Sequence, residues 1–463
     1  MKAISNIIIL IIFCTLPQLS WSIDTLYLST YVDMVMLNHP LIQKANLNDE
    51  IQAAYALKGR GALDPKIKSD YNTKDFKDTD YFNIWDTKAT IPTRLPVDFA
   101  VGYERNNGDF LSSENSVPDR GLIYGTINVS VLRGLLFDQT RFDIQNAELN
   151  GIKSQIDRDI MVREILFQAI NTYLNWSQSY YHIELQTNFL ELINERHLNI
   201  VELYINGDKP AIDTLESRLN INSAEKLLLD AKGNFIKTTQ QLNLFLWDNQ
   251  GNPLVINNDI YPESLQDLTM DLYELALMAD PVFDQDPLIR KVDNSIDMLN
   301  LENRLQREQF KPQLDLKYNT LVNLEDRGSD PSFSLNDYKY GIAFVMPILN
   351  RKTRGEVRLN EAIIDQNNLE RTHYLATLET KYDALLDVYQ VQSDQLFTIE
   401  EKIRNSTSLY EAEVLKFGIG ESSIFLLNMR ERKILEANID LISSTWKLGN
   451  LINELYYLKL GQR

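Results

Sequence analysis

The sequence predicts a mainly α fold with β, built from tandem-duplicated helix–strand–strand–long helix–helix units. Three observations predict it: helical periodicity sustained too long for a globular core, a repeat of the chain on itself, and short alternating segments ahead of each long helix.

The clearest helical run begins at Arg354. Between Gly355 and Gly418 the chain contains no proline and no further glycine. Apolar residues recur three or four apart, among them Val357, Ile364, Leu375, Leu378, Tyr382, Leu385, Tyr389, Leu396, Ile399 and Ile403. That spacing keeps one helix face apolar, and its length points to coiled-coil-like packing. At 1.5 Å per residue such an arm reaches about 90–100 Å, longer than any compact domain requires. The pattern breaks at Phe417-Gly418-Ile419-Gly420-Glu421-Ser422-Ser423 and then resumes to the C-terminus.

The repeat appears at two offsets. At 247, His39-Pro40-Leu41-Ile42 faces Asp286-Pro287-Leu288-Ile289, and Tyr71-Asn72-Thr73 matches Tyr318-Asn319-Thr320. At 213, Arg141 pairs with Arg354, Glu148 with Glu361, Tyr204 with Phe417 and Gly207 with Gly420. The difference means that the first half carries extra residues between its strands. In the second half, Pro312–Val322 and Tyr338–Ile348 alternate as half-buried strands do, around the polar loop Glu325–Leu335. In the first half, Lys66–Phe76, Tyr81–Ile91, Val97–Arg105 and Leu122–Leu132 read as strands. The extra pair there is either a long hairpin outside a membrane or two additional wall strands, so each chain brings four strands or six.

The N-terminus has a lysine, a short apolar run over Ile7–Leu16 and small residues at Ser20 and Ser22, the pattern of an export signal cut after Ser22. Cys14, the only cysteine, offers a rival lipoprotein reading, which Phe13 opposes because lipidation needs a small residue there. Without Cys14 there is no disulfide, thiol nucleophile or thiolate metal site. The formal net charge of −19 disfavours nucleic acid and anionic membrane surfaces as partners. Past the signal no apolar run is long enough for a transmembrane helix, so a membrane crossing would have to be a β-barrel. Too few strands per chain are available to close one, which means pooling strands from several copies.

The expected organisation is therefore a signal peptide at 1–22, then a first repeat at 23–246 with strands over about 66–132 and long helices at 136–205 and 211–246. A polar linker follows at 247–268. The second repeat takes 269–463, with strands over about 312–348 and long helices at 354–416 and 423–460. No nucleophile–base constellation or phosphate-binding loop occurs, so no enzyme, catalytic residue or cofactor is expected. His39, His182, His197 and His373 lack metal-ligand spacing, and no metal site is expected. Trp176, Tyr180 and Tyr181 read as interhelical packing, and Asp280-Pro281 and Asp286-Pro287 as helix-start punctuation.

The duplication, the Asn-His-Pro-Leu-Ile and Asp-Pro-Leu-Ile helix starts, the strand-to-helix passages at Leu135-Leu136-Phe137 and Ile348-Leu349-Asn350, and the Phe-Gly-Ile-Gly break together resemble the TolC-like outer-membrane efflux and secretion channels. The resemblance covers essentially the whole chain after the signal. It departs in the longer first-half strand region and in the Gly-Asp-Lys-Pro form of the first break. It implies a homotrimer whose strands close one β-barrel in outer-membrane lipid and whose helices form a hollow periplasmic cylinder, with the linker as an equatorial collar. It further implies a passive duct for efflux or type I secretion, docked to a periplasmic adaptor (membrane fusion) protein and an inner-membrane transporter. Residues at the two helical breaks, Gly207, Asp208, Pro210, Gly418, Gly420, Glu421, Ser422 and Ser423, would form the tip that meets these partners. Glycine permits the reversals, Pro210 suits the first turn of a returning helix, and Ser422 or Ser423 can cap the other.

Glu411 and Glu413 stand where the first repeat has Leu198 and Ile200. In the resembling family, carboxylates on this helix ring the tunnel constriction, and three copies held close would raise one another's pKa and favour cations. Two other readings compete. An exported structural coiled coil, a stalk or adhesin, would show heptads without duplicated strand pairs, and a periplasmic adaptor would carry a lipoyl-like domain inside one hairpin.

Overall fold

The computed structural model describes residues 25–256, 259–264, 267–269, 281–323 and 336–460. The export signal at 1–22, Asp280 and the loop Glu325–Leu335 lie outside the described residues. The elements are β1 (Thr25–Leu26), α1 (Leu28–Asn38), α2 (Pro40–Arg60), β2 (Lys66–Asp75), β3 (Asp80–Ile91), β4 (Val97–Asn107), β5 (Leu122–Ser130), α3 (Gln139–Ile205), α4 (Ala211–Asn243), β6 (Tyr261–Pro262), α5 (Pro287–Glu308), β7 (Gln313–Asn323), β8 (Tyr338–Val345), α6 (Arg351–Gly418) and α7 (Ile424–Lys459). Helices α3 and α6 run 67 and 68 residues without a break. No helix among the described residues is long and apolar enough to cross a membrane.

The chain divides into two compact units. One holds residues 35–171, 272–395 and 450–463, and with them the whole of β2–β5, β7 and β8. Here the duplication appears as matched helix starts. His39 caps α2 by accepting from the Leu41 N–H through Nδ1 at 3.3 Å, and Asp286 caps α5 by accepting from the Leu288 N–H at 2.8 Å. In both, proline follows at the first helical position, where its missing N–H costs nothing. Asp286 also forms a buried ion pair with Arg163 of α3 at 2.5 Å, both side chains 1% exposed. The Arg163 guanidinium lies over the Tyr457 ring at 4.4 Å. Leu385 of α6 packs with Leu455 and Leu458 of α7 in a small apolar cluster bordered by Leu378, Tyr382 and Leu451.

The strands form one antiparallel sheet in the order β2-β3-β4-β5-β7-β8. Four come from the first half and two from the second, and all six belong to one sheet. The β2–β3 hairpin closes through Lys77 and Asp78, with φ of 54° and 58°, and Phe76 and Thr79 exchange backbone hydrogen bonds of 3.1 and 3.3 Å across them. Positive φ at both central residues marks the two-residue turn whose twist matches a hairpin.

The register sorts the sheet into two chemically distinct faces. One carries Ile67 and Tyr71, Trp85 and Ala89, Phe99 and Val101, Ile123 and Ile127, Leu316 and Tyr318, and Tyr340 and Ile342, all in phase across the ladder. From the helix-proximal ends up to the row of Tyr71, Trp85 and Arg105, this face has one ionised side chain, Arg105 itself. The other face carries Lys68, Asp70, Asp86, Lys88, Asp98, Glu104, Asp315, Lys317 and Lys339. Ile342 and Ile67 on the apolar face remain 64% and 79% exposed in the single chain. Among the described residues of this unit, none covers these side chains of the apolar face.

The second unit holds residues 1–34, 172–271 and 396–449. Its core centres on Tyr31, Tyr173 and Trp176, each fully buried. The Tyr173 hydroxyl donates to the Leu26 carbonyl at 2.5 Å, and the Glu263 carboxylate accepts from the Leu28 N–H at 2.9 Å. Tyr181 donates to the Glu263 carbonyl at 2.8 Å. These bonds lock the parallel β1–β6 pair against α3, so the aromatic run on α3 is packing, as its spacing suggests.

Candidate docking tip and constriction

The residues expected at the tip belong to the second unit and form two helical reversals with one construction. At the end of α3, Gly207 has φ +85°, its N–H donates to the Tyr204 carbonyl at 3.0 Å, and the Asp208 N–H donates to the Leu203 carbonyl at 2.9 Å. At the end of α6, Gly420 has φ +81°, its N–H donates to Phe417 at 3.2 Å, and the Glu421 N–H donates to Lys416 at 2.9 Å. Both are Schellman endings, in which a left-handed residue lets the chain satisfy the last helical carbonyls. Glycine occupies each because a Cβ in that conformation costs roughly 1–2 kcal/mol.

Gly418 is different. It is the last residue of α6, its φ is not positive, and a Cβ there would meet nothing within 4 Å. Gly418→Ala is therefore expected to leave the tip intact, whereas Gly420→Ala or Gly207→Ala loosens it. Hydrogen exchange at the Glu421 and Asp208 amides would measure this. Equal protection in the Gly418 and Gly420 variants would contradict the assignment.

Pro210 precedes the first turn of α4 instead of sitting in it. It is the N-cap, at φ −75° and ψ 155°, and its carbonyl accepts from Asp213 at 3.1 Å. The ring restricts φ but leaves ψ free to be extended. Ser423 is the cap of α7, its Oγ accepting from the Leu426 N–H at 3.3 Å. Ser422 does something else: its hydroxyl donates to Glu413 Oε1 at 2.6 Å. The two reversals meet where the Lys209 ammonium lies 4.4 Å over the Phe417 ring.

The two constriction candidates separate in the structure. Glu411 is exposed. Glu413 is only 9% exposed and is clamped by Ser422 and by Arg430 of α7 at 3.4 Å. The Ser422 hydroxyl, with help from Arg430, holds its carboxyl below the usual range. Within one chain the groups around Glu413 are a hydroxyl and a cation. Its observed work is to tie the α6–α7 turn together.

Sequence reasoning missed a buried cluster above the tip. Arg196 of α3 pairs with Glu431 of α7 at 2.5 Å and donates to the Tyr410 hydroxyl of α6 at 2.8 Å. Burial pushes the Glu431 carboxyl up to about 7, against the pull of Arg196. Only the apolar neighbours of Glu431 in its helical pattern hint at this. Between α4 and α7 lies a cleft of about 230 Å³ lined by Glu216, Leu219, Ser223, Phe425, Met429 and Arg432. His197 and Ser217 join α3 to α4 at 2.7 Å. No group of three or more His, Cys, Asp and Glu among the described residues is placed to hold a metal.

Several solved structures superpose on almost the whole chain. The outer membrane channel CmeC of Campylobacter jejuni matches with a TM-score of 0.63 at 14% identity, over 94% of this chain and 85% of that one. The outer membrane protein VceC of Vibrio cholerae matches at 0.63 and 12%, over 94% and 96%. The open-state MtrE channel of Neisseria gonorrhoeae matches at 0.61 and 14%, over 94% and 89%. The fold is that of the TolC-like outer-membrane channels. No family model and no curated protein matches the chain in sequence, so the likeness to these channels is one of fold. Within that fold the sheet and the paired long helices here correspond to elements of proteins described as membrane channels.

Proposed function

We propose that this chain is one protomer of a trimeric outer-membrane exit duct with a long periplasmic extension. The observation that carries the reading is the two-faced sheet on a channel fold. Its strands run 8–12 residues, and about 9–11 tilted residues cross a bilayer. The apolar face suits outer-membrane lipid, and the charged face suits a water-filled lumen. Tyr71, Trp85 and Tyr103, at mid-strand, add aromatic area to the apolar face.

The duct is passive in this reading, without catalytic residue or cofactor, and is driven by an inner-membrane transporter reached through a periplasmic adaptor. The matched Schellman turns, with Gly207, Asp208, Pro210, Gly420, Glu421, Ser422 and Ser423 around them and Gly418 beside them, form a compact surface for those partners. Glu411 supplies the exposed carboxylate for the constriction, and residues 247–268 the collar. Small molecules or proteins are the cargo class.

Planar-bilayer recording of detergent-extracted protein, with its mass in detergent, tests the reading. A trimer giving discrete cation-preferring steps is expected, and Glu411→Gln should weaken the preference. A water-soluble, non-conducting monomer would return the chain to an exported helical scaffold. Unchanged selectivity in Glu411→Gln would leave the duct and remove Glu411 from its constriction.

A further inference from the structure

Among the described residues of one chain the sheet ends in two open edges, β2 and β8. On the duct reading these edges lie in lipid, where each unpaired backbone N–H and C=O costs several kcal/mol. They therefore require partners. Six strands cannot close on themselves, since even eight leave an interior filled by side chains.

We propose that β2 of one copy pairs with β8 of the next, so that three copies, each giving six strands, close a barrel wall of eighteen with the β2–β3 hairpin inside it. Four features support this. The six strands alternate in direction, so β8 runs opposite to β2 and a junction between copies continues the antiparallel ladder. The hairpin strands, 10 and 12 residues long, match the 11 and 9 residues of β4 and β5. Their turn is a tight two-residue one, not a decorated loop. Finally, the apolar face continues in phase through Trp85 and Tyr71 to the outer edge, while Lys66, Lys68 and Lys74 of that edge strand point to the charged face. A hairpin standing outside the membrane would have no reason to keep one face free of charge. A wall of this number is wide enough for an open aqueous lumen, and the ladder of Asp70, Asp86 and Glu104 would face it.

The inference rests on the duct reading, and disulfide mapping separates the two. Cys14, the only native cysteine, precedes the expected cleavage point, so introduced pairs report cleanly. Double variants would combine Lys68→Cys, Asp70→Cys or Asn72→Cys on β2 with Lys339→Cys, Gly341→Cys or Ala343→Cys on β8, all on the water-facing side. Oxidation of outer membranes should yield covalent dimers and trimers for at least one register and none for the single variants. Covalent trimers from Ala100→Cys on β4 with Gly341→Cys, and none from the β2 panel, would put β4 at the junction and overturn the eighteen-strand wall while leaving the duct. Membrane-embedded trimers that cross-link through neither strand would also overturn it. Absence of any membrane-embedded oligomer would remove the duct reading itself, and the wall with it.

Discussion

Arg163→Met is expected to destabilise the protein by about 3–5 kcal/mol per chain, because it leaves the Asp286 carboxylate buried without a counter-ion. Asp286 is wholly buried and already caps α5, so it cannot turn toward water without also releasing the Leu288 N–H. Asp286→Asn keeps a capping oxygen but strands the arginine, two of whose nitrogens are buried without a hydrogen-bond partner. It too should be costly. The double variant Arg163→Met with Asp286→Asn removes both charges and keeps the cap, and it should recover most of the loss, since paired burial of two ions is often matched by apolar packing. Denaturant unfolding in detergent would measure the cycle. Losses that simply add would mean that the two charges do not depend on each other.

The second large effect is on pH dependence. The Glu431 carboxyl is raised to about 7 from an ordinary value near 4.5. The folded chain therefore holds a proton that the unfolded chain releases between those values. The stability this proton contributes is fully present below about pH 4.5 and is lost as pH rises through 7. The difference is about 3 kcal/mol for one such group. The charged and titratable groups facing it are Arg196 from α3 and Tyr410 from α6. Thermal unfolding of the wild type should show a midpoint falling between about pH 4.5 and 7. Glu431→Gln, neutral throughout and similar in shape, should flatten that segment of the curve. An unchanged slope in Glu431→Gln would assign the titration elsewhere.

Much of the architecture is local and so can be read in the chain. The long helices follow from periodicity and the absence of proline. Their starts follow from His39-Pro40 and Asp286-Pro287, and their reversals from Gly207 and Gly420. Each of these is decided within five residues by backbone sterics and hydrogen bonding. The repeat made the reading stronger, because two copies of one pattern rarely arise by accident. It also misled where the halves differ. Offset 213 sets Ala376 against Arg163, so the buried ion pair, which joins the first repeat to the second, has no counterpart with the repeats exchanged. At the tip, Ser422 and Ser423 looked interchangeable as caps, yet one caps and the other holds Glu413.

The sequence by itself determined the elements: which segments are helix or strand, where the chain reverses, and which side of each strand is apolar. The tertiary structure alone decided how those elements pair. It brought Arg163 to Asp286 across 123 residues, gathered Arg196, Tyr410 and Glu431 from three helices, turned Glu413 away from solvent, and joined six strands, not four, into one sheet. The physical reason is one of range. Helix period and turn chemistry act between near neighbours and leave a mark in composition, whereas an ion pair or a strand partner depends on which distant segments the fold brings within hydrogen-bonding distance. Nothing in either segment names the other.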